Sequence, residues 1–161
     1  VHNPDAKLTT TLLASTAFGQ GEILATPLQM AVIASTIANG GVLESPHLGL
    51  EALDGDKVVE KLEQPSSKRI ISADLAKTMN ALMVSVVDNG QAAGVVIPGV
   101  KVGGKTGTAE TGTDASDAWF IAFAPAENPT IAVAVIVEQG GHGGETASPI
   151  AGAVIRAALG K

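Results

Sequence analysis

Three stretches near the C-terminal end, about 101 to 110, 117 to 124 and 130 to 138, constrain the fold of this chain more than anything else in it. Each reads as a strand, and only Gly112 to Ser116 and Pro125 to Pro129 separate them. Parallel neighbours need a crossover of roughly a dozen residues, so links this short predict an antiparallel meander. Side chains alternate across a strand, which puts Trp119, Ile121 and Phe123 on one face and Ala118, Phe120, Ala122 and Ala124 on the other. The third stretch offers Ile131, Val133, Val135 and Val137 against Ala132 and Ala134. A sheet apolar on both faces has to be covered on both. The expected class is therefore α+β, an antiparallel sheet with helices over each face.

The covering helices have their own signals. Thr26-Pro27-Leu28-Gln29 is a capping box with proline at the first helical position, and it opens a helix over about 27 to 39. That helix is apolar nearly all round through Met30, Val32, Ile33 and Ile37 and stops at Asn39-Gly40-Gly41, so it reads as central and buried. A second helix starts at Ser72 and carries Leu75, Met79, Leu82, Met83, Val86 and Val87 at helical spacing before Asn89-Gly90. Ser148-Pro149 is expected to cap a last helix ending at Leu159-Gly160. Between the first two helices, Asp54-Gly55-Asp56 reads as a hairpin turn between short strands.

Composition removes several functions. A net charge of −6, with no cluster of Lys/Arg and interleaved aromatics, excludes a nucleic-acid surface. Zero cysteines rule out disulfides and thiolate metal sites, and His2, His47 and His142 form no pair at metal-ligand spacing. No cofactor is expected. No run of about 18 apolar residues is present, so no segment of this sequence reads as a membrane span. The start Val1-His2-Asn3-Pro4 is neither an initiator nor a signal peptide, and the chain reads as a piece of something longer.

The chemistry is concentrated in Val102-Gly103-Gly104-Lys105-Thr106-Gly107-Thr108-Ala109-Glu110. Glycine in a strand marks close approach by a ligand or another backbone, so Gly103, Gly104 and Gly107 predict an open lane beside the Lys and Thr side chains. Gly99 to Thr106 also fits the phosphate-loop spelling G-x-x-x-x-G-K-[ST]. That loop needs a strand before it and a helix after it to aim backbone N–H groups at phosphate. Pro98-Gly99 interrupts the lead-in, and Gly107 to Gly112 cannot open a helix. A strand bearing Lys105-Thr106-Gly107-Thr108 fits better. Glu110, Asp114 and Asp117 read as a solvated acidic turn, His142 as a loop histidine, and Gly19-Gln20-Gly21 as a device that sets the chain's entry to the first buried helix.

Lys-Thr-Gly is one element of the serine penicillin-recognising enzymes. Around it, Phe18-Gly19-Gln20-Gly21, Ala25-Thr26-Pro27-Leu28-Gln29-Met30-Ala31, Ile37 to Gly41, Pro46-His47-Leu48, Trp119 to Pro125 and Gly140 to Gly144 follow in order. Together they resemble the transpeptidase domain of class B penicillin-binding proteins over nearly the whole chain. The resemblance implies D,D-transpeptidation: a serine attacks the penultimate D-Ala carbonyl of a peptidoglycan stem peptide, D-Ala leaves, and an amine of a second stem resolves the acyl-enzyme. It implies β-lactams as inhibitors and a position at the extracytoplasmic face of the membrane, with an N-terminal anchoring helix outside this sequence. In this scheme Lys105 supplies positive charge, and the Thr106 and Thr108 hydroxyls bind the substrate's terminal carboxylate. The Thr108 backbone N–H serves as an oxyanion donor, and Gly107 keeps the lane clear.

One departure matters. None of Ser15, Ser35, Ser45, Ser66, Ser67, Ser72, Ser85, Ser116 and Ser148 begins a Ser-x-x-Lys or Ser-x-Asn element. The expectation is that residues 1–161 are the C-terminal part of a transpeptidase domain, inactive alone, with the nucleophile on a complementary N-terminal chain. The competing reading is a non-catalytic penicillin-binding-like domain that binds peptidoglycan peptides or a partner protein. The residues preceding Val1 in the parent protein discriminate the two.

Overall fold

A computed structural model describes residues 9–21, 23–62, 66–90, 92–112 and 115–161. In chain order the elements are α1 (Thr10–Ala17), α2 (Pro27–Ala38), β1 (Val42–Glu44), β2 (Glu51–Asp54), β3 (Lys57–Lys61), β4 (Ser67–Arg69), α3 (Ala73–Asn89), a 3-10 turn (Ala93–Val95), β5 (Gly103–Ala109), β6 (Asp117–Ala124), β7 (Ile131–Val137) and α4 (Ala147–Ala158).

The meander forms as predicted, in the order β5-β6-β7, antiparallel throughout. Its two faces feed two cores. Ala118, Phe120, Ala122 and Ala124 pack with Val95, Val102, Val133, Ala151 and Ile155, so α4 and the 3-10 turn cover that side. Ile121 and Phe123 pack with Ala34, Ile37, Met83 and Ala126, which brings in α2 and α3. Phe120 and Phe123 are fully buried, one in each core, each stabilising its layer by about 1.5–3 kcal/mol.

These rings explain two glycines, and here the sequence reading is corrected. Gly103 and Gly104 do not open a lane. A Cβ at Gly103 would run into the Phe123 ring, and one at Gly104 would lie 2.5 Å from Cζ of Phe120. The glycines therefore make room for core aromatics, and the start of β5 is closed.

The α2 capping box is complete: the Gln29 N–H donates to Thr26 Oγ1 at 3.2 Å and the Thr26 N–H to Gln29 Oε1 at 2.8 Å. At the other end Gly40, at φ +62°, sends its N–H to Ile37 O while Gly41 reaches Thr36 O, a Schellman stop. The helix is not buried all round, however. It lies on β6 and β7 with Ala34 and Ile37 inward, while Leu28 and Ile33 face outward, because no described element covers that side. In α3 the Ser72 side chain accepts from the Leu75 N–H as predicted, and Met83 and Val87 are buried while Leu75 and Leu82 are exposed.

The hairpin expected at Asp54-Gly55-Asp56 is β2–β3, with Gly55 at φ +60°. The β1–β4 pair, in which Val42 faces Arg69, was not foreseen, since three-residue strands carry little periodic signal. A further correction concerns Ser148, which is fully buried and donates to Gly144 O at 2.7 Å instead of capping. Helix α4 begins earlier, at Ala147, with Thr146 as its first flanking residue and no side-chain cap.

Candidate active site: the open edge of β5

The sequence from Gly103 to Ala109 is one continuous strand, with no helix after it. That removes the phosphate-loop geometry. β5 pairs with β6 on one side, from Gly103 opposite Phe123 to Ala109 opposite Asp117, and among the described residues its other side is an edge of the sheet. Opposed residues share a face, so Lys105 and Gly107 lie on the face of Ile121 and Trp119, and Thr106 and Thr108 on that of Phe120 and Ala118.

Two side chains report which way the backbone of this edge points. Nζ of Lys105 donates to the Thr106 carbonyl at 2.7 Å, and Nε2 of Gln20 donates to the Thr108 carbonyl at 3.0 Å. Neither donor comes from β6. In an antiparallel ladder a residue directs its N–H and C=O to the same side, and the side alternates along the strand. Thr106 and Thr108 therefore turn both groups to the open edge, while Lys105, Gly107 and Ala109 turn theirs to β6. The edge presents a cation, two hydroxyl-bearing residues and outward N–H groups at period two.

This edge borders a cleft of about 470 Å³, lined by Lys105, Thr106, Gly107 and Thr108 together with Phe18, Gln20, Ile23, Met30 and Trp119. One wall is polar and cationic, the other apolar. Lys105 is exposed, and the two threonines and Gly107 are half-buried. The four residues read from the sequence are thus in one place. The glycine-rich segment expected before the last helix does not line the cleft but packs on the backbone of β5 and β6. A Cβ on Gly143 would strike the Trp119 carbonyl and lie 2.5 Å from that of Gly107, so the two chains meet backbone to backbone.

The other candidates separate from the cleft. His142 is exposed and does not line it. Asp117 is structural, accepting the Gln139 N–H at 2.9 Å through Oδ1, while Glu110 is exposed and Asp114 and His2 lie outside the described residues. Among the described residues no group of acids and histidines is arranged to hold a metal, and no helix is long and apolar enough to cross a membrane. Lys101, on the lead-in to β5, donates to Asp88 at 2.6 Å, and that contact and charge raise its ammonium above the ordinary lysine range. Gln20 is the site residue that the sequence reading left among structural devices. It sits 88 positions from Thr108, and only its place inside the family-like Phe18 to Gly21 segment hinted at a role.

The sequence profile of the penicillin binding protein transpeptidase domain matches residues 3–157. This chain belongs to that family. It is similar to peptidoglycan D,D-transpeptidase PbpA of Mycolicibacterium smegmatis, 42% identical in a 158-position alignment that covers 91% of this chain and 32% of the relative. Stage V sporulation protein D of Bacillus subtilis is 36% identical over 91% of this chain and 24% of its own length. Penicillin-binding protein A from Mycobacterium tuberculosis superposes with a TM-score of 0.82 at 43% identity, covering 91% of this chain and 37% of that one. The same relative has been solved as an imipenem acyl-enzyme complex, also at a TM-score of 0.82. The class B transpeptidase-domain assignment and the α+β fold both stand. The chain spans about a third of the length of the PbpA relative it matches.

Proposed function

We propose that the whole protein is a peptidoglycan D,D-transpeptidase inhibited by β-lactams, and that residues 1–161 form the C-terminal part of its catalytic domain. They supply the substrate-binding strand, and the remainder of the protein supplies the serine, its general base and the anchor holding the domain at the outer face of the membrane. The observation that carries this reading is the open edge of β5, where Lys105 and the outward N–H and C=O groups of Thr106 and Thr108 border a cleft. Such an edge accepts an extended peptide as an added strand, with backbone hydrogen bonds for affinity and side chains for selection.

The roles proposed are those that the family resemblance implies, acting at the β5 edge. The stem peptide lies along the edge with its terminal carboxylate toward Lys105 and the Thr106 and Thr108 hydroxyls, since charge-assisted hydrogen bonds to a carboxylate are the strong ones. Serine Oγ from the remainder of the protein attacks the penultimate D-Ala carbonyl. The C–N bond breaks, the terminal D-Ala departs with a proton on its amine, and the serine stays esterified. A second stem's amine then displaces the serine oxygen, which regains a proton. In each tetrahedral stage the oxyanion is met by the outward N–H of Thr108, a contact whose loss costs roughly 3 kcal/mol of transition-state stabilisation. Gly107 places no side chain in the peptide's path.

Release of D-Ala from a stem-peptide donor, with a stem amine as acceptor, tests this in the full-length protein. Lys105→Met is expected to lower turnover by about a hundredfold while the circular dichroism spectrum stays unchanged. Full turnover in that variant, or no release by the wild type, contradicts the assignment.

A further inference from the structure

Two asparagines of this chain, Asn39 and Asn89, are followed by glycine. In such a pair the next backbone nitrogen can reach the asparagine side chain most easily, because glycine puts no side chain of its own in the way. Both asparagines are exposed, and both stand at the C-terminal end of a helix. Their surroundings differ. After α2 the pair is locked: the Gly40 N–H bonds Ile37 O, the Gly41 N–H bonds Thr36 O at 2.8 Å, Nδ2 of Asn39 donates to Val42 O at 3.1 Å, and Arg69 donates to the Gly40 carbonyl at 2.8 Å. Gly41 is itself pinned, since its carbonyl accepts the Ile70 N–H at 2.9 Å.

After α3 the corresponding restraints are missing among the described residues. The Gly90 N–H makes no capping bond, although the residues that follow α1, α2 and α4 each do. The Asn89 amide has one long contact, from Nδ2 to Ser85 Oγ at 3.3 Å. Helix ends fray, so releasing Asn89 from the last turn costs little. Nor can Gly90 readily give way to a larger residue that would shield the asparagine, because a Cβ there would run into the Val86 carbonyl. We propose that Asn89-Gly90 is a site of spontaneous covalent modification, in which Asn89 becomes aspartate and isoaspartate with water as the only co-reactant. The Gly90 nitrogen, having given its proton to hydroxide, attacks Cγ of Asn89. The N–Cγ bond forms, the Cγ–Nδ2 bond breaks, and Nδ2 leaves as ammonia after taking a proton from water, which restores the hydroxide. A succinimide ring results. Water then opens it: cleavage of the new N–Cγ bond gives aspartate, and cleavage of the original Asn89–Gly90 peptide bond gives isoaspartate, whose backbone is one methylene longer. Either product places a carboxylate at the negative end of α3, beside the Asp88 carboxylate that holds Lys101. The modification is independent of the transpeptidase reading above.

Peptide mass spectrometry of the full-length protein tests this, after the folded protein has been incubated in mildly alkaline water enriched in heavy oxygen and then digested. Fragment ions are expected to show residue 89 losing its amide nitrogen and gaining one heavy oxygen. That exchange should run more than about tenfold faster than at residue 39, the order set by two or more additional hydrogen bonds that must open there. In urea, where neither helix holds its pair, the two rates are expected to converge. Equal rates in the folded protein, faster reaction at Asn39, or an Asn89 that stays unmodified while the unfolded protein reacts overturns the proposal. So does a difference of the same size that persists in urea, because sequence and not fold would then set it.

Discussion

A methyl group added at Gly143 has nowhere to go, because it would press on the backbone carbonyls of Trp119 and Gly107, neither of which can swing aside like a side chain. Gly143→Ala is therefore expected to lift the glycine-rich segment from β5 and β6 and to destabilise the protein by about 1–3 kcal/mol, read from the shift in a chemical denaturation midpoint. An unchanged midpoint would mean that the segment does not rest on the strand. Glycines carry the least legible information in this sequence for the same reason. Gly103, Gly104 and Gly143 each answer to a distant neighbour, the Phe123 ring, the Phe120 ring or the Gly107 backbone, and nothing adjacent in sequence names that neighbour. Lys105 to Thr108 were legible because the chemistry is compact and the strand keeps all four together. Gln20 was not, because its partner is set by tertiary folding.

At the scale of elements, local chemistry and local structure agree wherever the signal is contained within one turn or one strand. Thr26 and Gln29 satisfy each other's backbone N–H at the start of α2, as their spacing predicts. Thr26→Ala should cost about 1 kcal/mol, measured by urea denaturation, and a loss near zero would show that packing alone sets the start of the helix. The meander was legible from alternation and short links, since both are backbone geometry written directly into sequence. Ser148 misled because the Ser-Pro pair resembles a cap, whereas burial against the 3-10 turn gives its hydroxyl a carbonyl to bond at Gly144. The outward face of α2 misled for a different reason: hydrophobic spacing marks what is to be buried, and does not say by which element.

Across the whole molecule those uncovered faces have a pattern. Leu28 and Ile33 on α2, Leu75 and Leu82 on α3, and Ile150 and Val154 on α4 are all exposed. β7, apolar on both faces, forms the second edge of the sheet among the described residues. Exposed apolar helix faces beside an open strand edge are what folded proteins cover. The chain also matches only 32% of the PbpA relative. Both observations are compatible with the proposal made above, in which the remainder of the protein covers these faces and carries the nucleophile. The central claim, that this chain binds and positions while the covalent step belongs elsewhere, is tested most directly by locating the penicillin adduct. Peptide mass spectrometry of the full-length protein after labelling is predicted to find a single adduct, on a serine outside residues 1–161. An adduct on Ser15, Ser35, Ser45, Ser66, Ser67, Ser72, Ser85, Ser116 or Ser148 would contradict it.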